Sequence, residues 1–484
     1  MTLRARTLDR AGRRVALPKI MHPPTGIVHL GAGAFHRAHQ AVYTEDAMAI
    51  AGGDWGICGV SLRSADVQAA LRPQDWLYTL AVLDEQISYR VIGALNSVLV
   101  ATRELRQVLD AMASPRTHIF TVTVTEKGYC LNLKGELNTG HPDIQRDLRE
   151  PAAPATVIGI IVEALRRRFA QGVPAPSVIS CDNLMNNGRL LESAVLEFAR
   201  FTDAALARWI EDEVCFPSTM VDSITPATDD ALRERVARAT GLRDMLPVQR
   251  EAYTQWVIEN RFAGPRPEWE AAGAILTADV APYEKAKLRL LNAAHSALAY
   301  LGSLMGIETV FQAMQNTALA GYVSRMMESE IASAIIALPG LQTGDYTAAI
   351  LRRFRNPAIQ HYLSQIAWDG TQKLPIRALG TLRENLAAGR SVRALCLILA
   401  GWMHFVREQV RRGHKLNDPL AERLQSIGAA CTLTASHDVA AFLELGEVFA
   451  ADLAGDARLV QALVEAYRSL GDGSRAAVEN ALRF

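Results

Sequence analysis

The 484 residues carry 51 Lys plus Arg against 51 Asp plus Glu, so the formal net charge is zero and the basic excess that non-specific nucleic-acid binding requires is missing. Apolar residues make up 49% and charged residues 21%, an ordinary globular composition. The length exceeds what one hydrophobic core commonly supports, which predicts two domains.

In chain order, Gly26-Ile-Val-His-Leu-Gly31 reads as a strand entering a glycine turn. Trp55 to Leu62, the β-branched run from His118 to Thr125, and Ser177 to Asp182 read as further strands. Helical spacing fills the intervals, as at 154–171 and 187–200. Strands alternating with helices predict an α/β fold with a doubly wound parallel sheet. After about Pro282 the β-runs vanish, and apolar residues recur at helical spacing in 283–305, 309–329, 346–354, 377–388, 391–412 and 457–470. The expected division is 1–280, a nucleotide-binding sheet domain, and 281–484, a mainly helical domain. Pro-rich patches at 151–154, 174–176 and 265–267 read as loops.

Six scattered cysteines (Cys58, Cys130, Cys181, Cys215, Cys396, Cys431) form no C-x-x-C pair, and are expected to be reduced thiols in a cytoplasmic protein. The N-terminus lacks the apolar core of a signal peptide. The longest apolar run, 394–406, is too short to span a bilayer and is flanked by Arg393 and Arg407, so a buried helix is expected.

The first chemical signal is Gly31-Ala-Gly33-Ala34-Phe35-His36-Arg37, directly after a strand. Two glycines let the backbone turn sharply and approach a pyrophosphate at a helix N-terminus. His36 stands where a third glycine is usual; a tight strand–helix turn without ligand is the competing reading. Arg37 is either a cation near phosphate or a solvated surface residue. Asp66, after the second strand, suits ribose hydroxyls and repels a 2′-phosphate, favouring NAD over NADP. Arg63, three residues earlier, would do the opposite, and Asp66 also reads as a helix N-cap.

The second signal is Glu284-Lys285-Ala-Lys287-Leu-Arg-Leu-Leu-Asn292-Ala-Ala-His295. At 100° per residue, Lys287, Asn292 and His295 fall within about 140° of arc. A lysine, an amide and an imidazole on one side can surround a single oxygen. Removing hydride from a carbinol needs a base for the hydroxyl proton and donors for the developing oxyanion. A lysine serves as that base when desolvation or a nearby cation disfavours its charged form. Glu284, one turn earlier, suits a proton relay to water. A charged surface helix is the alternative.

These two stretches resemble the polyol-specific long-chain dehydrogenases, the mannitol dehydrogenase family. Further matches are Thr123-Val-Thr-Glu126-Lys-Gly-Tyr-Cys130, Ser180-Cys-Asp182-Asn183, Met220-Val-Asp222, Gln255-Trp-Val-Ile-Glu259 and Asp369-Gly-Thr-Gln-Lys373-Leu-Pro375. The resemblance covers essentially the whole chain. It implies a Rossmann-type N-terminal domain, a mainly helical C-terminal domain with the active site between them, and no metal. By position, Lys287 matches the general base, Asn183 and Asn292 the oxyanion donors, and Glu284 the relay. His295 and Asp222 match substrate-contacting residues, Asp66 the acid favouring NAD, and Glu126 a loop expected near the nicotinamide. Asn183 also follows a strand at the carboxyl edge of the sheet, where cofactor and substrate meet; an Asn completing a turn is the alternative.

Mannitol-specific members carry an arginine eight residues before the position of Lys373; here Gln365 stands there, and the segment Gln365 to Pro375 resembles fructuronate reductases more closely. A hexuronate carboxylate needs a cation, for which Lys373, with Arg377, is the candidate; a turn lysine is the alternative for Lys373. Two departures stand out: Ser223 replaces the family's arginine after Asp222, and Gln249-Arg-Glu-Ala-Tyr253 replaces its Cys-Glu-Pro-Phe. The expected activity is NAD-linked interconversion of a hydroxyl and a ketone on an open-chain sugar acid. The alternatives are a mannitol- or arabinitol-type polyol dehydrogenase, or a non-catalytic dinucleotide sensor. The expected partner is a small molecule, with neither nucleic acid nor membrane, on a monomer or weak homo-oligomer.

Overall fold

Thr25–Leu30 (β1) is buried along almost its whole length, because Val28 and Leu30 point to one face and Ile27 and His29 to the other. Such two-sided burial belongs to the centre of a parallel sheet. In the computed structural model, which describes residues 1–12, 15–132, 134–335 and 341–483, β1 lies between Gly56–Ser61 (β2) and Ile119–Val122 (β4). Leu95–Val100 (β3) and Ser177–Ser180 (β5) complete a five-stranded all-parallel sheet in the order β3-β2-β1-β4-β5. This is the doubly wound order, whose ligand crevice lies outside the carboxyl ends of the strands.

Alternation along the strands feeds two cores. Val28, Leu30, Val60, Phe120, Val122 and Val178 pack under the helices Ala101–Ala113, Val157–Gln171 and Asn187–Thr202. Ile27, Ile57, Ile119 and Ile179 pack on the opposite face, with helix Gln40–Ala51, Trp256 and Trp269. Two smaller sheets, unforeseen in the sequence reading, join this part. One runs Val15–Ala16, Ser88–Ile92, Tyr78–Leu83, Val248–Glu251; the other runs Ile275–Thr277, Gln255–Glu259, Thr219–Asp222. Their strands are short and fully buried at several positions, so a period of two is weak.

The chain divides into two compact units, Met1–Ala281 and Pro282–Phe484. Among the described residues of the second unit, every extended element is a helix. The 19-residue helix Arg393–Arg411 packs against Ala293–Leu304 and Ala457–Ser469 and contains the apolar run 394–406, which is buried except for half-buried Phe405. Among the described residues no helix is long and apolar enough to cross a membrane. All six cysteines are unpaired.

Candidate active site

The glycine turn begins where β1 ends. Gly31 has φ +101°, and a Cβ there would run into the carbonyl oxygen of Thr123; glycine is the residue that accepts both constraints. Beneath it, fully buried His29 places Nδ1 2.7 Å from Thr121 Oγ1 and Nε2 2.8 Å from Thr123 Oγ1 and 2.9 Å from the Gly31 carbonyl. Burial holds the His29 pKa down to about 3. His29 therefore braces the turn as a neutral ring, a role that sequence reasoning did not assign. Gly33 is exposed and open: a Cβ there would meet nothing closer than 3.8 Å. It starts helix Ala34–Ala38 with no side-chain cap, and Ala34 and Phe35 are half-buried beside it. The exposed, side-chain-free Gly33 leaves room for a pyrophosphate to approach the main chain.

His36 and Arg37 go elsewhere than expected. His36 is 1% exposed and stacks on His29 at 3.3 Å between ring centroids. Arg37 is 2% exposed, donates to the Leu246 carbonyl at 2.7 Å and lies over the Tyr78 ring. It is neither a phosphate cation nor a surface residue. Its charge is spent tying the turn to the loop before strand Val248–Glu251.

Asp66 opens helix Asp66–Leu71 beyond the carboxyl end of β2, with its side chain exposed. The cap position belongs to Ala65, so the carboxylate is not used as an N-cap. Glu126 is likewise exposed, on the loop after β4. That loop is held in an uncommon shape, with Thr125 at φ 66°. Asp182 holds it: its carboxylate accepts from the backbone N–H groups of Val124 and Thr125, both at 2.9 Å, and from the Tyr129 hydroxyl at 2.7 Å. Burial raises the Asp182 pKa, and these bonds oppose the rise. Burial, reinforced by Asp182, raises that of Tyr129. The signal available in sequence was the Ser-Cys-Asp-Asn run, whose acid was passed over in favour of Asn183.

Asn183 is exposed just past β5. Four residues on, buried Asn187 donates to the Asp182 and Thr219 carbonyls at 2.9 Å and accepts from the Thr219 N–H at 2.9 Å. One amide thus links the Asn183 segment to the strand that ends at Asp222, which is 5% exposed. The two family departures meet in space: Ser223 Oγ donates to the Tyr253 carbonyl at 3.1 Å.

In the second unit, helix Ala281–Lys287 passes into a π-helical turn, Leu288–Asn292, before Ala293–Leu304. The regular 100° spacing assumed from sequence therefore fails here. A π-turn bonds i to i+5, so residues five apart, Lys287 and Asn292, come onto one face; such turns concentrate at functional sites. Glu284 and Lys287 are buried, at 6% and 8% exposure. Lys285 and Arg289 point to Glu384 instead. His295 is 8% exposed, and its ring packs 4.6 Å from Phe354 and 5.0 Å from His361. Its pKa is held well below 6.5 by burial, then by His361, Arg377 and Arg353.

Arg377 sits on another π-turn, Pro375–Leu379, packed against the first. It donates to Ser296 Oγ at 3.1 Å and to the Asn292 carbonyl at 3.4 Å, and meets no carboxylate among the described residues. Lys373 is committed locally: Nζ donates to the Trp368 carbonyl at 2.5 Å and lies 3.8 Å from Asp369. It behaves as a turn lysine. Gln365 is exposed on the short helix Leu363–Ile366. Among the described residues no group of three or more His, Cys, Asp or Glu is placed to hold a metal.

Two family models match the chain: the mannitol dehydrogenase Rossmann domain over residues 25–271 and the mannitol dehydrogenase C-terminal domain over 279–471. The chain belongs to the mannitol dehydrogenase family. Like the relatives named below, this member is an oxidoreductase. It is 41% identical to the D-mannonate oxidoreductase of Escherichia coli over 452 residues, covering 92% of this chain and 93% of that one. Among solved structures, the mannitol 2-dehydrogenase of Pseudomonas fluorescens, in ternary complex with NAD and D-mannitol, is 36% identical, with 99% of both chains covered and a TM-score of 0.81. A D-sorbitol dehydrogenase in substrate-free form, 31% identical, covers 99% of this chain and 100% of that one, with a TM-score of 0.92.

Proposed function

We propose that this family member interconverts a secondary hydroxyl and a ketone on an open-chain sugar acid, of the fructuronate and mannonate kind, with NAD. When bound, NAD supplies the hydride acceptor or donor. Gly31 and Gly33 with the main chain of Ala34 and Phe35 would hold its pyrophosphate, and Asp66 its adenosine ribose.

The observation that carries the chemistry is the π-turn between Lys287 and Asn292. It supports a buried amine and an amide serving the same oxygen. Burial disfavours the charged ammonium, so Lys287 is suited to accept the hydroxyl proton. Asn292 stabilises the oxygen as it gains charge, and the family resemblance gives Asn183 the same kind of role. Glu284, one turn away, passes the proton on, and His295 orients a neighbouring hydroxyl; the family resemblance makes Asp222 a further substrate-contacting residue.

Arg377 favours an acid over a neutral polyol. A half-buried guanidinium whose protein partners are all neutral is suited to a carboxylate. Lys373, already spent on its own turn, leaves that role to Arg377.

Steady-state rates decide between the substrates. With NADH, reduction of D-fructuronate should exceed that of D-fructose by at least about a hundredfold in kcat/KM, the scale of a lost charge-assisted bond. The reverse ranking would assign a polyol dehydrogenase instead. Lys287→Ala should lower kcat by about three orders of magnitude or more while NADH still binds. Undiminished turnover removes Lys287 from the base role.

A further inference from the structure

His295 does not stand alone. Its ring lies between Phe354 and His361, with the two imidazoles edge to face at 5.0 Å. His361 comes from a different segment, the loop before helix Leu363–Ile366, where its own carbonyl is fixed by the Val310 N–H at 3.0 Å. His295 Nε2 and His361 Nδ1 are both shielded from solvent, and neither has a hydrogen-bond partner among the described residues. Buried ring nitrogens are ordinarily bonded, and each exception calls for an explanation. Two adjacent exceptions, from separate segments, beside the helix that carries Lys287 and Asn292, point to a ligand that supplies both bonds.

The chemistry of the ligand group follows from the protonation state. Burial keeps both rings neutral, and for His295 the cations Arg377 and Arg353 add to the effect. A neutral imidazole offers one N–H and one lone pair. It is matched to a hydroxyl, which both donates and accepts, rather than to a carboxylate, which only accepts. The nearby cation for a carboxylate is Arg377.

We propose that His361 is a second substrate-binding histidine, which with His295 reads a hydroxyl of the open-chain sugar through its Nδ1. The proposal rests on the reading of the Lys287 helix as the substrate-facing element, and holds for a sugar acid or a polyol alike.

The test uses the full-length protein, with NADH and whichever of D-fructuronate and D-fructose the wild type reduces faster. His361→Ala should raise KM at least about tenfold, about 1.4 kcal/mol, with kcat within a few-fold of wild type. His361→Gln, whose amide can restore one bond, should recover part of the loss. NADH affinity, read by fluorescence titration, should not move. Among analogues lacking one chain hydroxyl each, one should show the same KM for wild type and variant. If both variants melt with the wild type, bind NADH normally and keep its KM, His361 does not touch substrate. Lys287→Ala separates the two claims. If it is inactive while His361 variants keep wild-type KM, only the present assignment falls. If it is active while His361→Ala raises KM, only the base assignment falls.

Discussion

Glu384 grips Arg289 with both carboxylate oxygens, at 2.5 and 2.8 Å, and takes Lys285 at 2.9 Å as well. Lys285 and Arg289 flank Lys287 in sequence, so one acid pins the helix on both sides of the candidate base. These hydrogen bonds bring the Glu384 pKa down to about 2. Glu384→Gln should leave the buried guanidinium of Arg289 poorly compensated. About 1 kcal/mol of stability should be lost, the lower end for an uncompensated buried group because the Glu384 side chain is 40% exposed to screening solvent. If the clamp also sets the π-turn, kcat should fall more than KM rises. A variant with lowered melting temperature and wild-type kcat would make the clamp purely structural.

Asp182 is the second acid that acts through its neighbours. It holds Val124 and Thr125 through two N–H bonds, and Thr125 is a β-branched residue at φ 66°, a conformation that costs about 1–3 kcal/mol and persists only where its surroundings impose it. Asp182→Asn offers a weaker acceptor. The loop carrying Glu126 should relax, and NADH affinity should fall by about tenfold, one lost bond's worth. Protease cleavage near Glu126 should rise in parallel. Wild-type NADH affinity in a cleavable loop would detach this segment from the cofactor.

Asp66 is exposed, and its carboxylate caps no helix, so its replacement should cost little stability. Asp66→Ala should shift the ratio of kcat/KM for NADH to that for NADPH by about tenfold or more toward NADPH, since a repelling charge near the 2′-position is gone. An unmoved ratio would place cofactor choice in other residues.

Stability should also depend on pH in a definite direction. Burial lowers the pKa of His29 from 6.5 to about 3, and those of His36 and His295 well below 6.5. Below pH 6.5 the unfolded chain binds protons that these folded rings refuse. Stability is therefore intact above 6.5 and lost as pH falls, by about 1.4 kcal/mol per pH unit for each ring, until the folded ring itself titrates, near pH 3 for His29. Urea midpoints should hold between pH 7.5 and 6.5 and decline from there to pH 5, and His29→Gln should remove part of the slope. A flat profile would show that these rings take up protons while folded.

The sequence alone determined the architecture and the chemistry-bearing residue types. Gly31 and Gly33 after a β-branched run predict the strand–turn–helix, and at Gly31 only glycine tolerates the backbone and the close approach of the Thr123 carbonyl. The lysine, amide and imidazole of 287–295 announce base and donors because their spacing is local. Tertiary structure decided which charges remain available. Arg37 and Lys373 read as ligand cations in sequence, yet a folded chain gave them Leu246 and Trp368 carbonyls as partners, contacts that no local pattern encodes. It also decided the π-turn, because inserting one residue into a helical turn is settled by what packs around it rather than by residue propensities. The pairing of His295 with His361, 66 positions apart in sequence, has the same origin: burial and partnership are properties of the packed chain, and they select which polar groups are left to meet a substrate.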